Sequence, residues 1–244
     1  MWGIIPAAGN GTRIQPLAFS KELLPVGART DGEPDRPRAV SEYLLERMVI
    51  AGADKVCFVI SPLKSDILRY YGGNYRRAHL FYAIQSQATG LCDAIFRALP
   101  LIGPNEPVIV GLPDTIWFPD DALQQLPDNC LSLLLFPVTR PELFDAVLTD
   151  EQDRVHAIEV KARNPGSRWV WGALKMPGAT LAALYALWRE RGRRDEYIGT
   201  LITAWLQNGG EAWGVRAGSG YVDVGTLDGY REAIRLLAVR ETHA

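Results

Sequence analysis

Gly9, Gly11, Thr12, Arg13 and Lys21 stand close together in the stretch IIPAAGNGTRIQPLAFSKELLPVG, Ile4 to Gly27, and their types are those of an anion site. Glycines let the backbone take positive φ and approach an anion closely, so that successive N–H groups converge on phosphate oxygens. Arg13 adds a planar fork of donors and Lys21 a mobile point charge. The apolar run from Trp2 to Ala7 reads as a strand that delivers this loop. Two common phosphate motifs do not fit. No Lys-Ser or Lys-Thr follows the glycines, as a P-loop requires, and Pro16 opposes the early helix of a dinucleotide fingerprint. An ordinary strand-to-loop turn is the competing reading.

Three further positions carry chemistry. Asp114 follows the apolar run Val108 to Leu112, and a carboxylate just past the end of a buried parallel strand lies where ligands bind in open α/β sheets. Beside Pro113 it could equally steady its own turn. Asp223 sits between Val222 and Val224, where an unpaired buried charge is costly, so it requires a partner or a metal. Gln85 ends the strand His79 to Gln85, and its amide can serve a base edge or merely cap the strand. Gly90 would let backbone approach the same ring.

The elements that must position these residues alternate between strand and helix. A helix is expected from Ser41, with Leu44, Leu45, Met48 and Val49 inward and Gly52 near its stop. The strand Lys55 to Ile60, the helix Ser65 to Tyr71, helical character over Leu91 to Leu99 and the strand Leu131 to Val138 follow. A hairpin or meander is expected from Asp153 to Gly178, then an amphipathic helix from Ala179 to Arg194, a second helix from Tyr197 to Gln207 and a strand in EAWGVRAG. Gly27 to Arg38 is polar and reads as a mobile excursion.

At 244 residues the chain suits one large α/β domain or two small ones. Hydrophobic residues at 48% and charged residues at 22% suggest neither disorder nor a membrane protein. A net charge of −2 offers no general field for nucleic acid, so any anion site must be local. Cys57, Cys92 and Cys130 lie far apart without metal-ligand spacing, and their odd number cannot close a disulfide framework. The N-terminal apolar stretch is too short for a spanning or signal segment and no Lys or Arg precedes it, which makes a soluble cytoplasmic protein the expectation.

GNGTRIQP followed by SKELLPV resembles the signature of the sugar-1-phosphate nucleotidylyltransferases, also called NDP-sugar pyrophosphorylases. The segment YAIQSQATGLCDAIF resembles the base-recognition loop of the glucose-1-phosphate thymidylyltransferases, and GYVDVGT resembles the family's D-x-G-T motif. The resemblance implies a three-layer α/β/α Rossmann-like nucleotidyltransferase fold with a mostly parallel central sheet. Residues 1–244 would form a single domain, with a sugar-side subdomain at roughly 139–220. It implies nucleotide contacts at Gly9, Gly11, Thr12, Arg13, Gln85 and Gly90, and Mg²⁺ held by Asp114 and Asp223. Lys161, Gly172 and Arg193 would meet the sugar phosphate, with Arg13, Lys21 and Lys161 as the catalytic cations.

The implied substrates are a nucleoside triphosphate, dTTP or UTP preferred, and a sugar 1-phosphate; the products are an NDP-sugar and pyrophosphate. This chain departs from the family pattern at several positions. Pro113-Asp114 replaces the usual Gly-Asp, Val160-Lys161-Ala162 replaces Glu-Lys-Pro, and Trp171 stands where a smaller residue is usual. The lost carboxylate at Val160 and the bulky Trp171 weaken any carry-over of glucose as the sugar. They keep open a same-fold enzyme with another acceptor, such as a heptose phosphate or phosphocholine. A nucleotide-sugar-binding regulatory protein without turnover is the other alternative, which retention of both carboxylates, Arg13, Lys21 and Lys161 opposes.

Overall fold

Alternate residues of the N-terminal strand go to opposite sides: Trp2 and Ile4 enter one buried cluster, Ile5 and Ala7 another. A strand without a polar face belongs inside a sheet that is covered on both sides. The computed structural model describes residues 1–29 and 36–241, and in it Trp2–Pro6 (β1) is an internal strand. A loop and a short 3-10 turn, Lys21–Leu23, lead into an antiparallel ribbon of Pro25–Arg29 (β2) and Arg36–Ala39 (β3). The excursion expected over Gly27 to Arg38 thus contributes strand at both ends, and its middle, residues 30–35, lies outside the described residues.

Helix Val40–Ile50 (α1) begins just before the expected Ser41. Glu42 Oε1 accepts the Ala39 N–H at 3.3 Å and so organises the first turn, while the Ser41 hydroxyl donates instead to the Glu22 carbonyl at 2.7 Å. Next come Lys55–Ile60 (β4), Ser65–Tyr71 (α2), Asn74–Tyr75 (β5), Ala78–Ile84 (β6) and Leu91–Arg97 (α3). Pro107–Gly111 (β7), Thr115–Phe118 (β8) and Leu131–Pro137 (β9) follow. A strand the sequence reading did not include, Asp145–Thr149 (β10), precedes the meander expected from Asp153 to Gly178, which is Val155–Val160 (β11) and Trp169–Pro177 (β12). Gly178–Glu190 (α4), Ile198–Gln207 (α5), Ala212–Val215 (β13), Gly220–Asp223 (β14) and Leu227–Glu241 (α6) complete the described chain. The helix expected to reach Arg194 stops at Glu190 because Gly192 and Arg193 take left-handed φ values of 70° and 59°.

At the centre of the main sheet β7, β1, β4 and β6 run parallel. Antiparallel β12 extends the sheet beyond β7, and β10 with β11 continues it; β9 also pairs with β12 and carries β13. Side chains of α1 and α2 bury one face and those of α3, α4 and α5 the other, which makes the three layers expected from the sequence. A third cluster joins α6 to the ribbon and to β8 and β14. Among the described residues no helix is long and apolar enough to cross a membrane.

Candidate active site

The loop after β1 and the turn after β7 leave the sheet at its carboxyl edge, the edge at which open α/β sheets bind ligands. Gly11 adopts φ +65°, and a Cβ there would lie 2.8 Å from Lys21 Cδ, so the Lys21 stem crosses directly over the glycine. Lys21 Nζ then donates to Asp114 Oδ2 at 2.5 Å. Asp223 arrives from far along the chain because β14 pairs with β8, setting Asp223 opposite Thr115. The Val224 N–H donates to the Asp114 carbonyl at 2.8 Å and closes this junction.

Arg13 Nη1 donates to Asp223 Oδ2 at 3.0 Å, and the Gly225 N–H donates to Asp223 Oδ1 at 2.7 Å. Both carboxylates converge on Gly225: a Cβ at that position would stand 2.8 Å from Asp223 Oδ1, 2.9 Å from Asp114 Oδ2 and 3.0 Å from Arg13 Nη2. Burial works against the Asp114 carboxylate, yet the charge and hydrogen bond of Lys21 outweigh it and hold its pKa below the ordinary value. Burial likewise opposes the Lys21 charge, and Asp114 more than offsets it, so the ammonium's pKa is raised. The pair therefore stays ionised.

The cavity here measures about 350 Å³. Gly9, Arg13, Lys21, Asp114 and Asp223 line its charged side; Leu143, Phe144, Asp145, Lys161, Trp171, Tyr197 and Tyr221 line its aromatic side. Lys161, at φ +47°, donates to the Tyr197 hydroxyl at 3.1 Å, with its ammonium 4.5 Å from the centre of that ring. Tyr221 packs edge-on against Phe144, their ring centroids 5.5 Å apart.

Six of the residues singled out from the sequence thus meet in one cavity: Gly9, Arg13, Lys21, Asp114, Lys161 and Asp223. Gly11, Thr12, Gln85, Gly90, Gly172 and Arg193 do not line it. Gln85 is buried, and its amide nitrogen donates to the Gly90 carbonyl at 3.1 Å and to Asp93 Oδ2 at 2.8 Å. Both amide hydrogens are therefore spent on Gly90 and Asp93, leaving the carbonyl oxygen as the side chain's acceptor. A Cβ on Gly90 would lie 2.8 Å from Glu196 Cα, so Gly90 packs directly on the segment before α5. Gly172 stands at a bulge between β12 and β9, where a Cβ would meet Phe136 Cε2 at 2.5 Å and Tyr221 Cε2 at 2.8 Å. Arg193 is exposed in the turn after α4, its guanidinium 5.6 Å from the centre of the Trp188 ring.

Sequence reasoning missed a buried ion pair beneath the loop. Lys64 Nζ donates to both Glu22 oxygens, at 2.8 and 2.9 Å, and to the Ala7 carbonyl at 2.7 Å. One ammonium thereby joins the end of β1 to the residue following Lys21. Burial pushes the Glu22 pKa up against the pull of Lys64. Asp145, Phe144, Tyr197 and Tyr221 were missed as well. An acidic residue opening the apolar run AVL was the available sign for Asp145, but placing it in the cavity needs the strand pairing.

Among the described residues no group of three or more His, Cys, Asp or Glu side chains could hold a metal ion. Two converging carboxylates remain, a donor set that fits Mg²⁺, which binds through one or two carboxylates while keeping water and substrate phosphate as its other ligands.

The sequence matches the family model described as Nucleotidyl transferase over residues 2–239. The chain belongs to the nucleotidyl transferase family. It is 26% identical over 253 residues to the glucose-1-phosphate thymidylyltransferase of Mycolicibacterium smegmatis, covering 99% of this chain and 84% of the relative. It is 27% identical over 243 residues to the enzyme of that name from Neisseria meningitidis, covering 96% of this chain and 81% of the relative. Among solved structures, a Bacillus anthracis protein assigned as a glucose-1-phosphate thymidylyltransferase, in complex with a sucrose, superposes with a TM-score of 0.82 at 21% identity. That likeness covers 96% of this chain and 94% of the other, and it speaks to the nucleotidyl transferase fold.

Proposed function

We propose that this nucleotidyl transferase joins a nucleoside triphosphate, dTTP or UTP in preference to ATP or GTP, to a sugar 1-phosphate, giving an NDP-sugar and pyrophosphate. One observation carries the proposal: the ion pairs Lys21–Asp114 and Arg13–Asp223 meet at Gly225 in the same cavity that Lys161 enters. Such a site holds polyphosphate between cations and carboxylates and places a second cation toward the acceptor.

A sugar phosphate oxygen attacks the α-phosphorus in line, forming one P–O bond as the bond to pyrophosphate breaks. Little proton chemistry is needed, and catalysis consists of positioning and charge neutralisation. The backbone of Gly9 and Gly11, with Thr12 and Arg13, holds the departing pyrophosphate. Lys21 offsets charge at the reacting phosphates, and Lys161 orients the nucleophile. Asp114 and Asp223 would hold Mg²⁺, which when bound neutralises phosphate oxygens. Arg193 and Gly172 support the sugar side, Gly172 by admitting the Tyr221 ring to the cavity wall.

Residues 1–244 work as one unit, in which 139–220 supplies the acceptor side. The free thiols of Cys57, Cys92 and Cys130 accord with a cytoplasmic enzyme. Base choice rests on the loop between Gln85 and Gly90. Held by its amide to Gly90 and Asp93, Gln85 fixes the polar edge that reads a thymine or uracil, and such an edge penalises a base that leaves it unpaired.

Pyrophosphate release from competing triphosphates, each supplied at limiting concentration with a panel of sugar phosphates, tests this reading. It predicts that dTTP or UTP wins and that Gln85→Ala narrows the gap. A clear win by a purine nucleotide would overturn the base assignment, and release independent of any acceptor would overturn the reaction.

A further inference from the structure

Asp145 and Val160 face each other directly across the antiparallel pair β10–β11. Directly opposed residues in such a ladder project from the same face of the sheet. The face on which the resemblance to the family expects an acid at 160 therefore carries one at 145 on the partner strand, and Asp145, unlike Val160, lines the cavity. Val160 is turned to packing instead: a Cβ on Gly199 of α5 would lie 3.0 Å from its Cγ2.

Two polar groups on this wall lack full partners. Trp171 Nε1 is buried and has no hydrogen-bond acceptor among the described residues. Burial raises the Asp145 pKa above the ordinary carboxylate value. Approaches of the Trp171 indole and the Lys161 backbone, with the Lys161 charge, offset only part of that rise. The indole thus approaches the carboxylate without completing a hydrogen bond to it, and the carboxylate is left with its burial only partly offset. Buried polar groups left in this state are costly, so the site is built to receive their partner from a ligand. An ammonium group has donors only, and would leave the indole N–H unsatisfied. A hydroxyl has both functions and would satisfy both groups at once.

Resting on the sugar 1-phosphate reading above, we infer that Asp145 and Trp171 together bind one hydroxyl of the acceptor sugar, the indole N–H donating to its oxygen and its O–H donating to the carboxylate. The pair is a specificity determinant that this chain carries in place of the acid at 160. The rings of Phe144 and Tyr221 beside it make this wall less polar, which strengthens both hydrogen bonds.

The test uses the full enzyme with Asp145→Asn, Asp145→Ala, Trp171→Phe and the double variant Asp145→Asn/Trp171→Phe. Each is assayed for pyrophosphate release with sugar 1-phosphates lacking one hydroxyl at a time, and with phosphocholine and phosphoethanolamine. Asp145→Ala should raise KM for the intact sugar phosphate on the order of 10- to 100-fold while leaving KM for the triphosphate unchanged. Asp145→Asn, which keeps an acceptor oxygen, should lose less. The double variant should lose little more than the worse single variant, and one deoxy sugar should be weak with the parent and indifferent to all the substitutions. Additive single effects, or continued sensitivity with every deoxy sugar, would overturn the inference. So would a preference of the parent for an ammonium-bearing phosphate, with equal losses in Asp145→Asn and Asp145→Ala. Those failures leave acceptor-dependent turnover in place, whereas the absence of turnover with every phosphate acceptor would remove the enzymatic reading itself and this inference with it. Unchanged triphosphate binding establishes that each variant is folded.

Discussion

On the charged side of the cavity, the side proposed to hold phosphate, Lys21 satisfies Asp114 at 2.5 Å and Arg13 satisfies Asp223 at 3.0 Å, whereas on the aromatic side the Trp171 N–H completes no hydrogen bond among the described residues and the burial of Asp145 is only partly offset. Both sides hold buried polar groups, and they solve the cost of burial differently. The phosphate side compensates its charges in advance, so the free protein carries a preformed cluster that an incoming polyphosphate re-partners. The aromatic side defers its compensation to the acceptor. The first arrangement favours binding any triphosphate; the second makes selection depend on what the acceptor brings.

The contrast breaks most sharply if either of the carboxylates proposed to hold Mg²⁺ is expendable. Asp114→Asn and Asp223→Asn should each lower turnover on the order of 10²- to 10³-fold, since each removes a fixed charge from the site where phosphate charge is reorganised. Circular dichroism should show the fold retained. Near-normal turnover at saturating Mg²⁺ in either variant would remove that residue from the phosphate side.

A second break is thermodynamic. Lys64→Met strands the Glu22 carboxylate, 1% exposed, without its ion pair beneath the loop, and should lower the unfolding free energy by about 3–5 kcal/mol at neutral pH. Burial already raises the Glu22 pKa against Lys64, so in the variant it is raised further. Protonation as the pH falls through that raised value relieves the stranded charge, and the gap between variant and parent should therefore shrink on acidification. Urea denaturation at two pH values measures it. A gap that widened at low pH would contradict the role of Glu22.

Lys161 sharpens the comparison on the aromatic side. Lys161→Ala should raise KM for the acceptor by about tenfold and affect the triphosphate less, because the ammonium is proposed to meet only the former. Equal effects on both substrates would move Lys161 to the phosphate side.

The two sides also differ in how far the sequence discloses them. Gly9, Arg13 and Lys21 lie within one short stretch, and their joint types declare an anion site. Asp114 and Asp223 stood out because each is an acid bordering an apolar strand, and the resemblance to the family supplied the ligand role that this position alone left open. The strands themselves read well, since apolar residues on both faces of β1 and β4 leave little choice but an internal position. Asp145 was not legible. Its role depends on lying opposite Val160, a fact of register that no local pattern states. The Glu22–Lys64 pair was hidden for a similar reason, being joined across 42 positions by the packing of α2 beneath the loop. Gln85 was seen, but the engagement of its amide by Gly90 and Asp93 follows from the turn into α3.

In the proposed reaction the acceptor's phosphate oxygen attacks the α-phosphorus of the triphosphate. Sugar 1-phosphate labelled with ¹⁸O in its phosphate oxygens, incubated with dTTP or UTP and Mg²⁺, tests this directly by mass spectrometry of both products. The account predicts NDP-sugar and pyrophosphate formed in equal amounts, with all of the label in the NDP-sugar and none in the pyrophosphate. Label in pyrophosphate, or pyrophosphate formed without NDP-sugar, would contradict it.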